Sequence, residues 1–136
     1  MDEKSFKLEI ITPQRVVYSD AVTSFTAPGV MGGFQVLHNH APMLSALAVG
    51  ETKLRDEKGV EHRFATSGGF VEVKQNLVVM LADSAEHVED IDLPRAERAR
   101  ERATNFINGK HADTDVERAQ LALARALNRI RVAKRD

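Results

Sequence analysis

Arg95 and Arg102 stand seven residues apart, with Arg98 beside them, and Arg125 and Arg129 stand four apart. On helices, such spacings bring side chains to one face, so each pair points its guanidinium groups the same way. If two such faces close on one side, four guanidinium forks converge. Forks of this kind grip phosphate oxygens bidentately and can hold a triphosphate without a glycine loop. From spacing alone the simpler account is a solvated surface, with these arginines paired to Glu97, Glu101 and Glu117, because exposed helix faces normally carry charge.

Other chemistry is poorly served. His38 and His40 form an H-x-H pair, which would converge on one strand face, yet no third metal ligand stands next to them. Asn39 and Pro42 favour a turn there, and no metal site is expected. The glycine-rich stretch 29–33 precedes a strand pattern and lacks the G-x-x-x-x-G-K-[ST] spacing of a phosphate loop. Serine, histidine and aspartate occur, but no nucleophile elbow groups them. The chain has no cysteine, which removes thiolate catalysis, thiolate metal sites and disulfides. No catalytic residue is assigned.

The arginines need helices to position them, and the pattern supplies two. Asp92 suits an N-cap, and Pro94 is tolerated in a first turn where its missing N–H has no partner to lose. Ala96, Ala99, Ala103 and Phe106 recur at steps of three and four, building one apolar stripe. Gly109 suits the left-handed residue past a helix end, and Thr114 or Asp115 can cap a second helix. The second stripe runs through Val116, Ala119, Leu123, Ala126, Ile130 and Ala133. Two narrow stripes joined by a short loop imply an antiparallel hairpin. Alanine buries little area, whereas a buried Leu contributes about 1.5–3 kcal/mol. The hairpin should therefore be marginal by itself.

Before residue 88 the period changes to two. Phe6, Leu8 and Ile10 alternate with Lys7 and Glu9, and further short β-rich runs follow, separated by Gly, Pro and Asn punctuation. The reading is an antiparallel β-sandwich of about ten short strands over residues 1–88, followed by an all-α hairpin over 89–136. Phe25, Leu37, Phe64, Phe70, Val79 and Leu81 are the expected core. Leu44–Val49 fits a strand or a helical turn equally well.

The net charge of −1 argues against a dedicated nucleic-acid binder, and Phe106 is the hairpin's single aromatic residue for stacking. That balance hides a division. Up to Asp90 there are 8 basic and 13 acidic residues, and beyond it 11 basic and 7 acidic, giving −5 and +4. The start, MDEKSFK, is acidic-first with no apolar stretch behind it, so no secretory leader is expected. Apolar runs such as Leu77–Ala82 are far short of a membrane span.

Several strings occur in collinear order along nearly the whole chain: Ile11-Thr12-Pro13, LHNHAP at 37–42, SGGFVEV at 67–73, Val78–Ala82, IDLPRA at 91–96, and RAQLALARALNRIR at 118–131. Together they resemble the ε subunit of bacterial F-type, proton-translocating ATP synthase. The resemblance implies a non-catalytic central-stalk subunit, peripheral on the cytoplasmic face of the bacterial inner membrane. It implies a β-sandwich bound to the γ subunit and the membrane rotor ring. The hairpin would be either folded or extended along γ toward the α/β catalytic subunits, the extended form blocking ATP hydrolysis.

Some members of that family bind regulatory ATP through an I/L-D-x-x-R-A motif, here Ile91, Asp92, Arg95 and Ala96 around Leu93 and Pro94. The matching set is completed by Glu86, Arg102, Arg125 and Arg129. Ile91 and Ala96 would contact base or ribose, Glu86 and Asp92 would accept hydrogen bonds, and the four arginines would neutralise the phosphates. The extended second helix would meet an acidic catalytic-subunit segment through Arg118, Arg125, Arg129, Arg131, Lys134 and Arg135. A free-standing β-sandwich module with a basic helical arm is the alternative, and it leaves the collinear C-terminal match unexplained.

Overall fold

The computed structural model describes residues 4–135. They form two compact units that meet between His87 and Val88. The first holds seven strands: β1 (Phe6–Ile11), β2 (Val16–Gly29), β3 (Gly32–Val36), β4 (Met43–Ala46), β5 (Gly50–Asp56), β6 (Glu61–Lys74) and β7 (Leu77–His87). The second opens with a 3₁₀ turn at Val88–Asp90, followed by α1 (Leu93–Ile107) and α2 (Asp113–Lys134).

Hydrogen-bonded neighbours run β1-β7-β6-β5-β2-β3, with β4 on β6, and β1 also pairs β2. Five strands thus close into a circuit, flattened into a β-sandwich. All pairs are antiparallel except β1–β7, which is parallel. Seven strands stand where about ten were expected, in part because two pairs of runs are each one continuous strand. The runs 15–18 and 22–27 are one strand, β2, whose register shifts between Val22 and Ser24 as it passes from β1 to β5. The runs 60–66 and 70–74 are likewise one strand, β6, carried through Gly68 and Gly69 at φ values of 62° and 103°. Leu44–Val49 resolves as the short strand β4 plus the loop after it.

The core is built by Phe6, Leu8, Ile10, Val22, Phe25, Leu54, Phe64, Val71, Val78 and Met80, with others around them. Phe25 and Phe64 lie there as expected, but three expected core residues do not. Leu37, Phe70 and Leu81 are about half exposed, at 49%, 54% and 54%, and Val79 is half-buried. Both parities of Leu77–Ala82 are apolar, so alternation could not choose a face. Pairing decides it: Val78, Met80 and Ala82 point inward, and Leu81 points out.

The bend at Gly69 is sterically exclusive. A side chain there would run into the Leu81 carbonyl and the Ala82 Cα of β7, and its φ is one that L-residues rarely adopt. Gly69→Ala should therefore lower unfolding stability by about 2–4 kcal/mol, read as a lower urea midpoint, whereas Gly33→Ala, with its nearest neighbour 3.7 Å away, should be nearly silent.

Candidate functional site

The hairpin is assembled from its ends. Asp92 caps α1: its carboxylate accepts the Arg95 N–H at 3.1 Å, while its carbonyl accepts the Ala96 N–H at 3.0 Å. Pro94 lies in the first turn, as expected. The far end differs from expectation. Asn108, in a right-handed conformation, closes α1, and Gly109 has no positive φ. Gly109 is instead a close-approach residue, since a Cβ there would press on the His111 ring. That ring stacks on Phe106, with centroids 3.6 Å apart and planes at 9°, and pins the loop. The second helix begins at Asp113 with Ala112 at the cap and no capping side-chain bond. Neither Thr114 nor Asp115 takes that role.

Along the two helices Ala96, Ala103, Ala126, Asn128, Ile130 and Val132 are buried. Lys134 Nζ reaches Glu97 Oε1 at 3.5 Å, tying the end of α2 to the first half of α1 and establishing antiparallel closure. Toward the loop the helices leave a groove of about 530 Å³. Its floor is Ala99, Ala103, Ala119 and Ala122, Phe106 closes one side, and Arg102, Arg118 and Asp115 stand around it.

The residues assigned to ATP thus fall into three places. Glu86 is on β7 of the first unit, opposite Ala65. Ile91, Asp92, Arg95 and Ala96 form the head of α1; Ala96 is buried, Ile91 half-buried, and Asp92 and Arg95 exposed. Arg102 lies two turns further on and shares the groove with Arg118, a residue the motif does not contain. Arg125 and Arg129 sit one turn apart on α2, both half-buried. The Nε of Arg125 is buried and, among the described residues, has no hydrogen-bond partner. A buried donor left unmade costs about 1–3 kcal/mol, and an oxyanion is its natural complement.

The first unit carries a second candidate surface. Residues pointing outward from β4, β6, β7 and β1 fall into cross-strand rows: Ala46, Phe70, Leu81 and Ile11, then Leu44, Glu72, Val79 and Glu9. Phe70, Leu81 and Leu44 are exposed at 54%, 54% and 71%. Beside them a groove of about 630 Å³ runs over the bare backbone of Gly68 and Gly69, with Thr12, Pro13 and Leu47 also lining it. An apolar strip across four strands is a candidate docking surface. Periodicity missed it because the strip was assigned to the core. The His38–His40 segment is a turn, with Asn39 at φ 59° and His40 Nδ1 2.7 Å from the Ala41 carbonyl.

Residues 5–88 match the family described as ATP synthase, Delta/Epsilon chain, beta-sandwich domain. Residues 89–134 match its companion, ATP synthase, Delta/Epsilon chain, long alpha-helix domain. The chain is 42% identical over 131 residues to the ATP synthase epsilon chain of Desulforamulus reducens, covering 96% of this chain and 98% of that one. It is 48% identical over 130 residues to the epsilon chain of Nitratidesulfovibrio vulgaris strain DP4, covering 96% of each. Its fold is similar to a chain in the Euglena gracilis mitochondrial ATP synthase structure (OSCP/F1/c-ring), with TM-score 0.79 at 22% identity over 88% of this chain and 76% of that one.

The cap role of Asp92 is separable from any ligand role. Asp92→Ala should cost α1 about 1 kcal/mol, measured as faster amide exchange through its first two turns, while Asp92→Asn should hold exchange close to that of the parent chain.

Proposed function

The chain belongs to the ATP synthase delta/epsilon chain family, and from that membership we propose that it is the non-catalytic epsilon subunit of the central stalk of a bacterial synthase. It works at the cytoplasmic face of the membrane without entering it; none of the described helices is long and apolar enough to cross. The apolar strip of Phe70, Leu81, Leu44 and Ile11 is the surface by which the β-sandwich holds its rotor partners, the γ subunit and the membrane ring. The hairpin is the regulatory arm. Closed, it binds ATP; extended, it reaches the catalytic α/β subunits and blocks hydrolysis.

One observation carries the regulatory half: the buried, unpartnered Nε of Arg125 on a half-buried helix face shared with Arg129. Phosphate oxygens would satisfy it. Arg95 and Arg102 would add charge from α1, Asp92 would offer its remaining carboxylate oxygen to the sugar or base, and Ile91, Ala96 and Glu86 would complete the contacts. ATP bridging both helices favours the closed hairpin over the extended one, because a ligand shifts a two-state equilibrium by its differential affinity. At 100 times its dissociation constant it adds about 2.7 kcal/mol. Arg118, Arg125, Arg129, Arg131, Lys134 and Arg135 would face an acidic catalytic-subunit segment when extended, so ATP and that segment compete for the same guanidinium groups.

Calorimetric titration of the full chain should show ATP heat, weaker for ADP and GTP. In Arg125→Ala plus Arg129→Ala the ATP heat should vanish and inhibition of hydrolysis in the reconstituted synthase should weaken; if both persist, the shared arginines are not the switch. For the docking surface, Phe70→Asp plus Leu81→Asp should leave the chain folded, by circular dichroism, but unable to co-purify with γ. Undiminished co-purification would move the rotor contact elsewhere.

A further inference from the structure

The groove over Gly68 and Gly69 has one charged wall. Pro13, Leu47, Phe70 and Leu81 make its sides apolar, and Asp83 of β7 is the single charged residue lining it among the described residues. Asp83 falls at the bend: Ser67 pairs with Ser84 and Gly69 with Ala82, which leaves Asp83 beside Gly68. Its carboxylate leans over Gly68, where a Cβ would collide with Oδ2.

Other acids of this unit already hold a cation. Asp56 faces His62 at 2.9 Å, Glu51 faces Arg63 at 2.8 Å, and Glu72 faces Lys74 at 3.5 Å. The Asp83 carboxylate is exposed and, among the described residues, has no ion pair or hydrogen bond. The charged members of the neighbouring strip, Glu9 and Glu72, are acidic too, and the chain up to Asp90 holds 8 basic against 13 acidic residues. This face therefore suits a partner that brings positive charge on an apolar surface.

The shape narrows the choice. Apolar walls with a carboxylate at one end fit a side chain that is apolar along its stem and cationic at its tip, as lysine and arginine are. Arginine fits better, because its fork takes both carboxylate oxygens at once and its plane can lie on the Phe70 ring. We propose that Asp83 is the counter-ion for an arginine that the γ subunit inserts into this groove, and that the pair sets the register of the apolar contact. This rests on the rotor-docking reading of the strip and adds what the partner must carry. Apolar contact is non-directional, so the strip alone allows sliding along its partner. One charge pair closed over by apolar side chains selects a single position. Docking strips water from Asp83, so losing either member leaves an uncompensated charge.

Titration of the full chain onto the immobilised α/β/γ complex lacking it tests the pair. Asp83→Asn keeps the shape and removes the charge; the dissociation constant should rise about 10–100-fold, with the urea midpoint of the free chain unchanged. Asp20→Asn removes the same charge outside the groove and should alter binding by no more than about threefold. Alanine replacement of one γ arginine should give the same rise and add nothing on top of Asp83→Asn. If Phe70→Asp plus Leu81→Asp abolishes binding while Asp83→Asn binds as the parent chain does, or adds fully to every γ arginine, the proposal falls and the rotor reading stands. Undiminished binding of Phe70→Asp plus Leu81→Asp overturns both.

Discussion

The contact between the Gly69 backbone and the Leu81 carbonyl sets the shape of the first unit. It lets β6 run as one hydrogen-bonded strand past β5, β7 and β4 while bending between them. Before the bend, Phe64, Ala65, Thr66 and Ser67 are all buried; after it, Val71 and Val73 are, and Phe70 and Glu72 are exposed. The pairing with β7 keeps one register through the bend, and beyond the glycines period-two alternation sends Val71 and Val73 inward and Phe70 outward. Core face and outward apolar strip therefore share one stretch of β6.

The second unit obeys a different balance. Many of its interhelical residues are alanines, a ring stack pins its loop, and a Lys134–Glu97 pair ties its ends. Both partners of that pair are substantially exposed, at 59% and 42%, and such pairs contribute at most about 1 kcal/mol. The start of α2 has no side-chain cap. Isolated helices of this length are marginal in water, and tertiary packing supplies most of the rest. Closure of this hairpin is consequently held by small terms, each within reach of a ligand or a partner surface. The first unit, with a contiguous core of large residues, is not open to such influence.

What could be read from the amino acids follows the same division. Helix α1 was legible to its cap, because Asp92, Pro94 and the alanine steps each have one structural meaning. The strand segments were legible as β but not as seven strands, because a glycine pair looks the same whether it ends a strand or bends it. The core was half legible: Phe25 is flanked by polar Ser24 and Thr26, which define a face, whereas Phe70 and Leu81 sit in runs where neighbouring positions are apolar too. Gly109 misled for a related reason. Its lack of a side chain serves the approach of the His111 ring, a tertiary contact five residues from Phe106 that no local rule contains. Of the candidate site, residue types and helix faces were legible, but the buried Nε of Arg125 depends on how closely α2 is covered, and spacing does not encode that.

The unsatisfied donor gives the charge division a physical role. A +4 segment that packs largely through alanines has little apolar area to offset the desolvation of Arg125 Nε. Such a hairpin carries an internal cost that falls when an anion arrives and is restored when it leaves. On the proposed reading the anion is either the phosphate chain, which rewards the closed form, or an acidic protein surface, which rewards the extended one. Weak packing and an unsatisfied buried donor are therefore two halves of one property: an arm whose conformation is decided by what binds it.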